Sequence, residues 1–191
     1  MKKSELETLI SKKSQEIFTQ MAKEIKENYI DNPDKSKSDE FAYLQLDYPI
    51  GYGASVSVKE ENAIYYLGGS PDAEHMRDVL KVTVKNGKLK TEIYAKLPLG
   101  FENGVAQYKD GKIYYGVGKI ENSEGKNVNS NKFYAFDLKT KETKELAAFP
   151  GEARQQTVGQ ILNSKFYVFS GGSNVSYVDG YAYNFKTNTW E

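Results

Sequence analysis

The stretch NAIYYLGG, Asn62–Gly69, has two close relatives further along the chain, GKIYYGVG at Gly111–Gly118 and SKFYVFSGG at Ser164–Gly172. Each is a short run of aromatic and branched residues closed by glycine, which is the composition of a β-strand ending at a tight bend. Aligning the three phrases aligns their surroundings. Ahead of each lies another strand-like run: ASVSV at Ala54–Val58, GVAQY at Gly104–Tyr108 and TVGQIL at Thr157–Leu162. A tight turn joins each pair (KEEN, KDGK, NSK). After the phrase comes a longer loop, then a third strand starting near Val79, Lys132 and Gly180. A second tight turn (KNGK, KTKE, KTN) leads to an outer strand, KTEIYAKL from Lys90 and KELAAF from Lys144. In the third copy the outer strand is only begun, at Thr189-Trp190-Glu191.

Four strands repeating about every fifty residues is the period of a kelch propeller blade. The predicted fold is therefore all-β, a kelch-type β-propeller segment of three four-stranded blades, about 51–97, 103–148 and 154–191. Gly68-Gly69 and Gly171-Gly172 are read as the diglycine of such a blade and Trp190 as its outer-strand tryptophan; in the middle copy Val117 separates Gly116 from Gly118. Where the strand ends against the blade axis, a Cβ would crowd the neighbouring backbone or forbid the φ that is needed.

Residues 1–40 read differently. Ser4 and Glu7 have capping-box spacing, and Leu6, Leu9, Ile10, Ile17, Phe18, Met21, Ile25 and Tyr29 fall mainly along one stripe, so an N-terminal α-helix is expected. Asn32-Pro33 ends it and a polar linker, DNPDKSKSDE, follows. We take 1–40 as a helical appendage and 41–191 as the propeller segment.

The 26 acidic and 26 basic residues cancel, so no global field points to nucleic acid or an anionic membrane. Without cysteine there is no disulfide framework and no thiolate nucleophile. The N-terminus lacks the apolar run of a signal peptide, and no stretch is long enough to span a bilayer. A cytoplasmic protein is expected, with no cofactor or metal: the single histidine, His75, cannot build a His-rich centre, and it reads as a solvated loop residue.

In a four-stranded antiparallel blade, alternate connections emerge at the same end. One end of this segment carries only short, lysine-rich turns. The other carries the long loops GGSPDAEHMRD, GKIENSEGKNVNSN and SGGSNVSYVDG beside YPIGYG, PLGFENG and FPGEARQQ. Loops on a rigid scaffold carry function, so a site is expected there. Only two of the basic residues are arginine, Arg77 and Arg154, and both fall at this end. Arginine suits the two-pronged grip of a carboxylate. Alternatively each pairs structurally, Arg154 with a neighbouring blade and Arg77 with Asp78. Glu74, Glu102, Glu121, Glu124 and Glu152 lie at the same end; Glu152 shares a connection with Arg154. Tyr52 and Tyr177 offer apolar faces to a sugar ring.

At ELAAFPGEARQQTVGQILNSKFYVFSGG, followed by YNFKTNTW, the chain resembles the N-acetylneuraminate (sialic acid) mutarotase family of bacterial kelch propellers. The matching positions are Ala147, Ala148, Phe149, Pro150, Gly151, Arg154, Gln156 and Tyr167 to Gly172, with Gln155 where the family pattern leads one to expect aspartate. The first blade looks like the family's last blade moved to the front, as in its circularly permuted branch. The resemblance covers residues 41–191, about half of a six-bladed ring. It implies interconversion of sugar anomers, a sugar-acid ligand, and a substrate-binding set of Arg154, Arg77, Glu152, Gln156 and Tyr52. The glutamate and arginine that the family is proposed to use for proton transfer would lie in a later blade; neither has a counterpart here, and Glu74 and Arg77 do not stand in for them. The other reading is a non-catalytic kelch module that binds a partner by its loop face. Two arrangements of the ring are open: a fragment with exposed edges, or a homodimer in which two chains form six blades, with Phe41–Asp47 completing the partner's third blade.

Overall fold

The computed structural model describes residues 3–27, 50–69 and 75–191. The chain divides into two compact units, residues 1–44 and 45–191. The expected Phe41–Asp47 strand, the 31–40 linker, the last expected helical residues 28–30 and Glu74 lie outside the described residues.

The first unit contains helix α1, Lys3–Ile25. It begins at Lys3, which places Ser4 inside the first turn, with the Ser4 carbonyl accepting from Thr8 Oγ1 at 2.8 Å. Ion pairing between Lys13 and Glu16 (2.9 Å) supports the polar side. None of its described parts is long and apolar enough to cross a membrane.

The second unit is built from repeated sheets. The first blade has β1 (Ala54–Val58), β2 (Ala63–Leu67), β3 (Asp78–Lys85) and β4 (Lys88–Lys96), hydrogen-bonded in that order and antiparallel throughout. Next come β5 (Phe101–Glu102), β6 (Val105–Lys109), β7 (Lys112–Gly116), β8 (Lys119–Glu121), β9 (Asn127–Asn129), β10 (Phe133–Asp137) and β11 (Thr143–Glu145). Of these β6, β7, β10 and β11 make the second blade, in that spatial order. The third is β12 (Val158–Leu162), β13 (Lys165–Phe169), β14 (Gly180–Asn184) and β15 (Thr189–Trp190), again in order. The first strands β1, β6 and β12 lie side by side, so each blade's inner strand abuts the next. This is the three-bladed propeller segment expected from the repeat.

Two details differ from the sequence reading. The long loop of the second blade is not irregular: β8 and β9 form a hairpin that pairs with β5 as a separate three-stranded sheet. The outer strand of that blade ends at Glu145, and Ala147-Ala148-Phe149 turns toward the third blade. There Trp190 Nε1 donates to the Ala147 carbonyl (2.8 Å), and the Ala147 amide donates to Asn188 Oδ1 (3.1 Å).

Side chains of alternate parity fill two interfaces. Between the first and second blades pack Val56, Val58, Tyr65 and Leu67 with Ile113, Tyr115 and Phe136. Between the second and third pack Val105 and Phe133 with Phe149, Phe166, Val168 and Tyr183. Strand periodicity dictates this, since successive residues face opposite sides and both sides of an inner blade are covered.

The bend that closes each repeated phrase has one geometry. Gly68, Val117 and Ser170 all take positive φ (60°, 48° and 63°), and their amides donate to the carbonyls of Asp78, Lys132 and Asp179 at 2.8, 3.0 and 3.1 Å. The residue that follows is glycine each time: Gly69, Gly118 and Gly171. This shifts the third diglycine by one position: its counterpart of Gly68-Gly69 is Ser170-Gly171, and the middle copy's is Val117-Gly118. The left-handed position carries a side chain in the second and third copies, as Val117 and Ser170, and is closed to one only at Gly68, where a Cβ would lie 2.0 Å from the Phe101 carbonyl oxygen; the next position is closed in all three. A Cβ on Gly69 would lie 2.1 Å from the Gly51 carbonyl oxygen, on Gly118 2.6 Å from that of Glu102, and on Gly171 2.7 Å from that of Gln155. Gly118→Ala is therefore expected to cost about 2–3 kcal/mol, as overpacking against backbone does. Gly87→Ala, in an open turn with no atom within 4 Å, is expected to cost only the left-handed penalty of about 1 kcal/mol. Urea denaturation of the two variants measures the difference; equal costs would show that the backbone contact is not what demands glycine.

Candidate functional site

The glycines just described brace something. Gly69 abuts Gly51 and Gly53, which flank Tyr52. Gly118 abuts Glu102 and Gly104, which flank Asn103, and Gly171 abuts Gln155 and Thr157, which flank Gln156. Tyr52, Asn103 and Gln156 each precede their blade's inner strand by two residues, and all three have positive φ (63°, 54° and 56°). They are also linked across the blades: the Asn103 amide donates to the Tyr52 carbonyl and the Gln156 amide to the Asn103 carbonyl, both at 2.6 Å. One residue per blade thus forms a hydrogen-bonded row along the long-loop end of the inner strands. Tyr52 and Gln156 are exposed there and Asn103 is half-buried, its Nδ2 donating to Gln155 Oε1 at 3.3 Å.

Tyr52 and Gln156 were candidates from sequence; Asn103 was missed. The signal for it was available, since Asn before Gly is a residue pair that accepts a left-handed conformation and sits in register with the other two.

Arg154 lies beside this row, its side chain fully buried. Its fork grips Asp179, Nη1 to Oδ1 at 2.6 Å and Nη2 to Oδ2 at 3.0 Å, while Nε donates to the Glu152 carbonyl at 2.9 Å. The guanidinium stands 3.9 Å from the Tyr177 ring centre and 5.1 Å from that of Phe149. Hydrogen bonds from Arg154 hold the Asp179 carboxyl below the usual aspartate range. The partner comes from the third blade itself, through the loop before β14, and it supplies the carboxylate that Gln155 does not. A ligand carboxylate meets this fork only by displacing Asp179.

Arg77 pairs with Glu121 rather than Asp78, Nε to Oε2 and Nη2 to Oε1, each at 2.8 Å. Glu121 also accepts the Gly100 amide at 2.9 Å, and its carboxyl is lowered by Arg77 first and that amide second. Asp78 pairs instead with Lys96. Among the described residues Arg77 makes no hydrogen bond to the Tyr52–Asn103–Gln156 row; it clasps the first blade's long loop to the β8–β9 hairpin. Glu102 faces Lys119 at 3.6 Å and Glu124 faces Lys126 at 3.0 Å. Glu152 is exposed, next to the row. No cluster of three or more histidine and acidic groups suited to a metal occurs among the described residues.

A concavity of about 740 Å³ opens at the opposite end, between the second and third blades where β11 and β15 are too short to fill the wedge. Two of its polar pairs are already engaged with each other: Lys112 holds Asp137, and the Tyr183 hydroxyl donates to Asn188 at 2.7 Å. The row at the long-loop end is the better candidate site.

Repeat, register and interblade packing define a kelch-type propeller segment. Over about half its length it is similar in sequence to proteins named N-acetylneuraminate epimerase: it is 36% identical over 104 residues to the one from Pasteurella multocida and 34% identical over 107 residues to one from Haemophilus influenzae. A "Kelch domain-containing protein" of Vibrio cholerae is 31% identical over 109 residues. These matches take in 51–52% of this chain and only 25–28% of each relative, so the chain aligns with about a quarter of their length. The solved "Structure of YjhT" superposes with a TM-score of 0.64 at 17% identity, covering 78% of this chain and 52% of that one, which shows the fold. No family model matches the chain.

Proposed function

We propose that the long-loop end binds a sugar acid of the sialic acid class, and that this chain takes part in interconverting its anomers. The observation that carries the reading is the braced row Tyr52–Asn103–Gln156: three neutral polar or aromatic side chains on rigid backbone, suited to hydroxyl, amide and ring faces of a sugar. The names of the relatives supply the substrate class.

Interconversion opens and recloses a hemiketal ring, which needs a base at the anomeric hydroxyl and an acid at the ring oxygen. Within this reading the row orients the sugar, Arg154 and Asp179 hold the row's last member in place, and Glu152 is the carboxylate at hand for the ligand. Arg77 acts at a distance, by fixing the hairpin beside the mouth.

Exchange NMR on N-acetylneuraminate tests this, comparing anomer interconversion and ligand saturation transfer with and without protein. Acceleration and binding are the expected results. Asn103→Ala is expected to weaken binding about tenfold, the worth of one hydrogen bond to a sugar. The absence of both binding and acceleration with the wild-type chain refutes the proposal.

A further inference from the structure

The two interblade wedges at the short-turn end differ by one inserted residue, and the difference leaves a cavity. In the first blade Ile93 lies opposite Leu80 and Ala95 opposite Val79, so Tyr94 is an extra, bulged residue of β4. Its ring fills the wedge between the first and second blades. The ring centre lies 5.1 Å from that of Tyr65, edge-to-face, and 4.2 Å from Lys141 Nζ, and the hydroxyl donates to the Leu138 carbonyl. The second blade has no such residue: Glu145 lies opposite Tyr134, and the Leu146 amide donates to the Phe133 carbonyl at 2.9 Å, so the register runs on without a bulge. Tyr114, Ala135 and Phe185 hold the register positions of Tyr65, Lys81 and Leu138, and they line the concavity of about 740 Å³ instead of a filled wedge. Tyr65 is fully buried, whereas Tyr114 is half-buried.

We propose that this second wedge is a binding site for a tyrosine side chain presented by an extended peptide of a partner protein. The filled wedge shows which group fits the open one. Tyr114 offers the ring contact that Tyr65 makes to Tyr94, and Phe185, 4.7 Å from Tyr114 and edge-to-face with it, gives a second aromatic wall. The Phe185 carbonyl, in register with that of Leu138, accepts the incoming hydroxyl. The four charged side chains of the lining, Lys112, Lys144, Asp137 and Glu142, cancel, which suits a neutral phenol better than an anion or a cation. The volume lies within the range of pockets that bury a drug-sized ligand and exceeds what one ring needs, so the residues flanking the tyrosine have room as well. Extended backbone is also how Tyr94 itself is presented, from within the strand Lys88–Lys96. The proposal is independent of the sugar-binding reading, since it concerns the other end of the blades and rests on packing alone.

NMR titration of the isotope-labelled 191-residue chain with the blocked tripeptide acetyl-Gly-Tyr-Gly-amide tests this. Amide signals of the wedge, at Tyr114, Ala135 and Phe185, should shift. The tyrosine peptide should bind about tenfold more tightly than its phenylalanine counterpart, the worth of one hydrogen bond. N-acetyltyrosinamide, which carries the ring without neighbours, should bind more weakly than the tripeptide. Tyr114→Leu removes one aromatic wall and Leu146→Trp fills the space; each should abolish the shifts, and the dispersion of each spectrum reports whether the variant stays folded. The comparison of peptides on the wild-type chain decides the matter even where a variant loses its fold. An absence of binding up to about 10 mM peptide overturns the proposal. So do shifts confined to the long-loop end, equal affinity for the tyrosine and phenylalanine peptides, or undiminished binding by a folded variant. Equal affinity for N-acetyltyrosinamide overturns it too, since the wedge would then take small phenols rather than a peptide.

Discussion

Phe133→Ala is expected to cost the propeller segment about 3–5 kcal/mol, the usual cost of truncating a buried phenylalanine. Phe133 is fully buried at the start of β10, where the second blade meets the third. Its ring centre lies 5.6 Å from that of Phe166, 4.9 Å from Tyr183 and 5.0 Å from Trp190, all edge-to-face, and 6.4 Å from Tyr114 in a stacked pair. Edge-to-face pairs add to the apolar area they remove from water. The cavity left by alanine cannot collapse easily, because its walls are anchored in two different sheets. Phe133→Leu, which keeps most of the volume, is expected to cost about 1.5 kcal/mol. Urea unfolding followed by Trp190 emission measures both; a loss under about 1 kcal/mol for alanine would show that this cluster does not hold the blades together.

The strands of these blades were legible because each is a local pattern of alternating residues bounded by turns, written three times. Repetition turned three weak signals into a register. The β8–β9 hairpin escaped notice because its strands are three residues long and mostly Asn, Lys and Glu, and the pairing of β8 with Phe101–Glu102 depends on a partner strand that sequence alone does not place. The diglycine was misplaced by one in the third copy for a different reason. Composition singled out Gly171-Gly172, but what the fold demands is one glycine after a left-handed residue, and Ser170 supplies the latter.

The candidate site was partly legible. Its end of the propeller followed from loop length, and Tyr52, Glu152, Arg154 and Gln156 were picked out at that end. What could not be read was pairing. Arg154 finds its carboxylate 25 residues away at Asp179, and Arg77 finds Glu121 at a separation of 44. Such partners are set by how β13 and β14 and the hairpin return to the mouth, and no local spacing encodes them.

Arg154→Met carries the second large effect, about 3 kcal/mol of lost stability. Breaking a buried ion pair by removing one member costs roughly 3–5 kcal/mol because the other charge stays behind. The lower end applies because the Asp179 side chain is 40% exposed and can regain water. Methionine fills much of the volume between Phe149 and Tyr177, so what is lost is mainly the charge and its hydrogen bonds. Arg154→Lys keeps a charge but not a fork, and should recover only part of the difference. The pH dependence separates this account from simple loss of packing. Asp179 has a folded-state pKa held down by Arg154, so its contribution is fully present above the ordinary aspartate value, near 4, and is lost as pH falls through the depressed one. Wild type should therefore lose stability relative to Arg154→Met as pH drops below about 4, and the gap between them should narrow. A gap that stays constant from pH 6 to the acid limit of folding would mean that the pair contributes no charge-dependent stability, and that Arg154 acts only as a spacer between two aromatic rings.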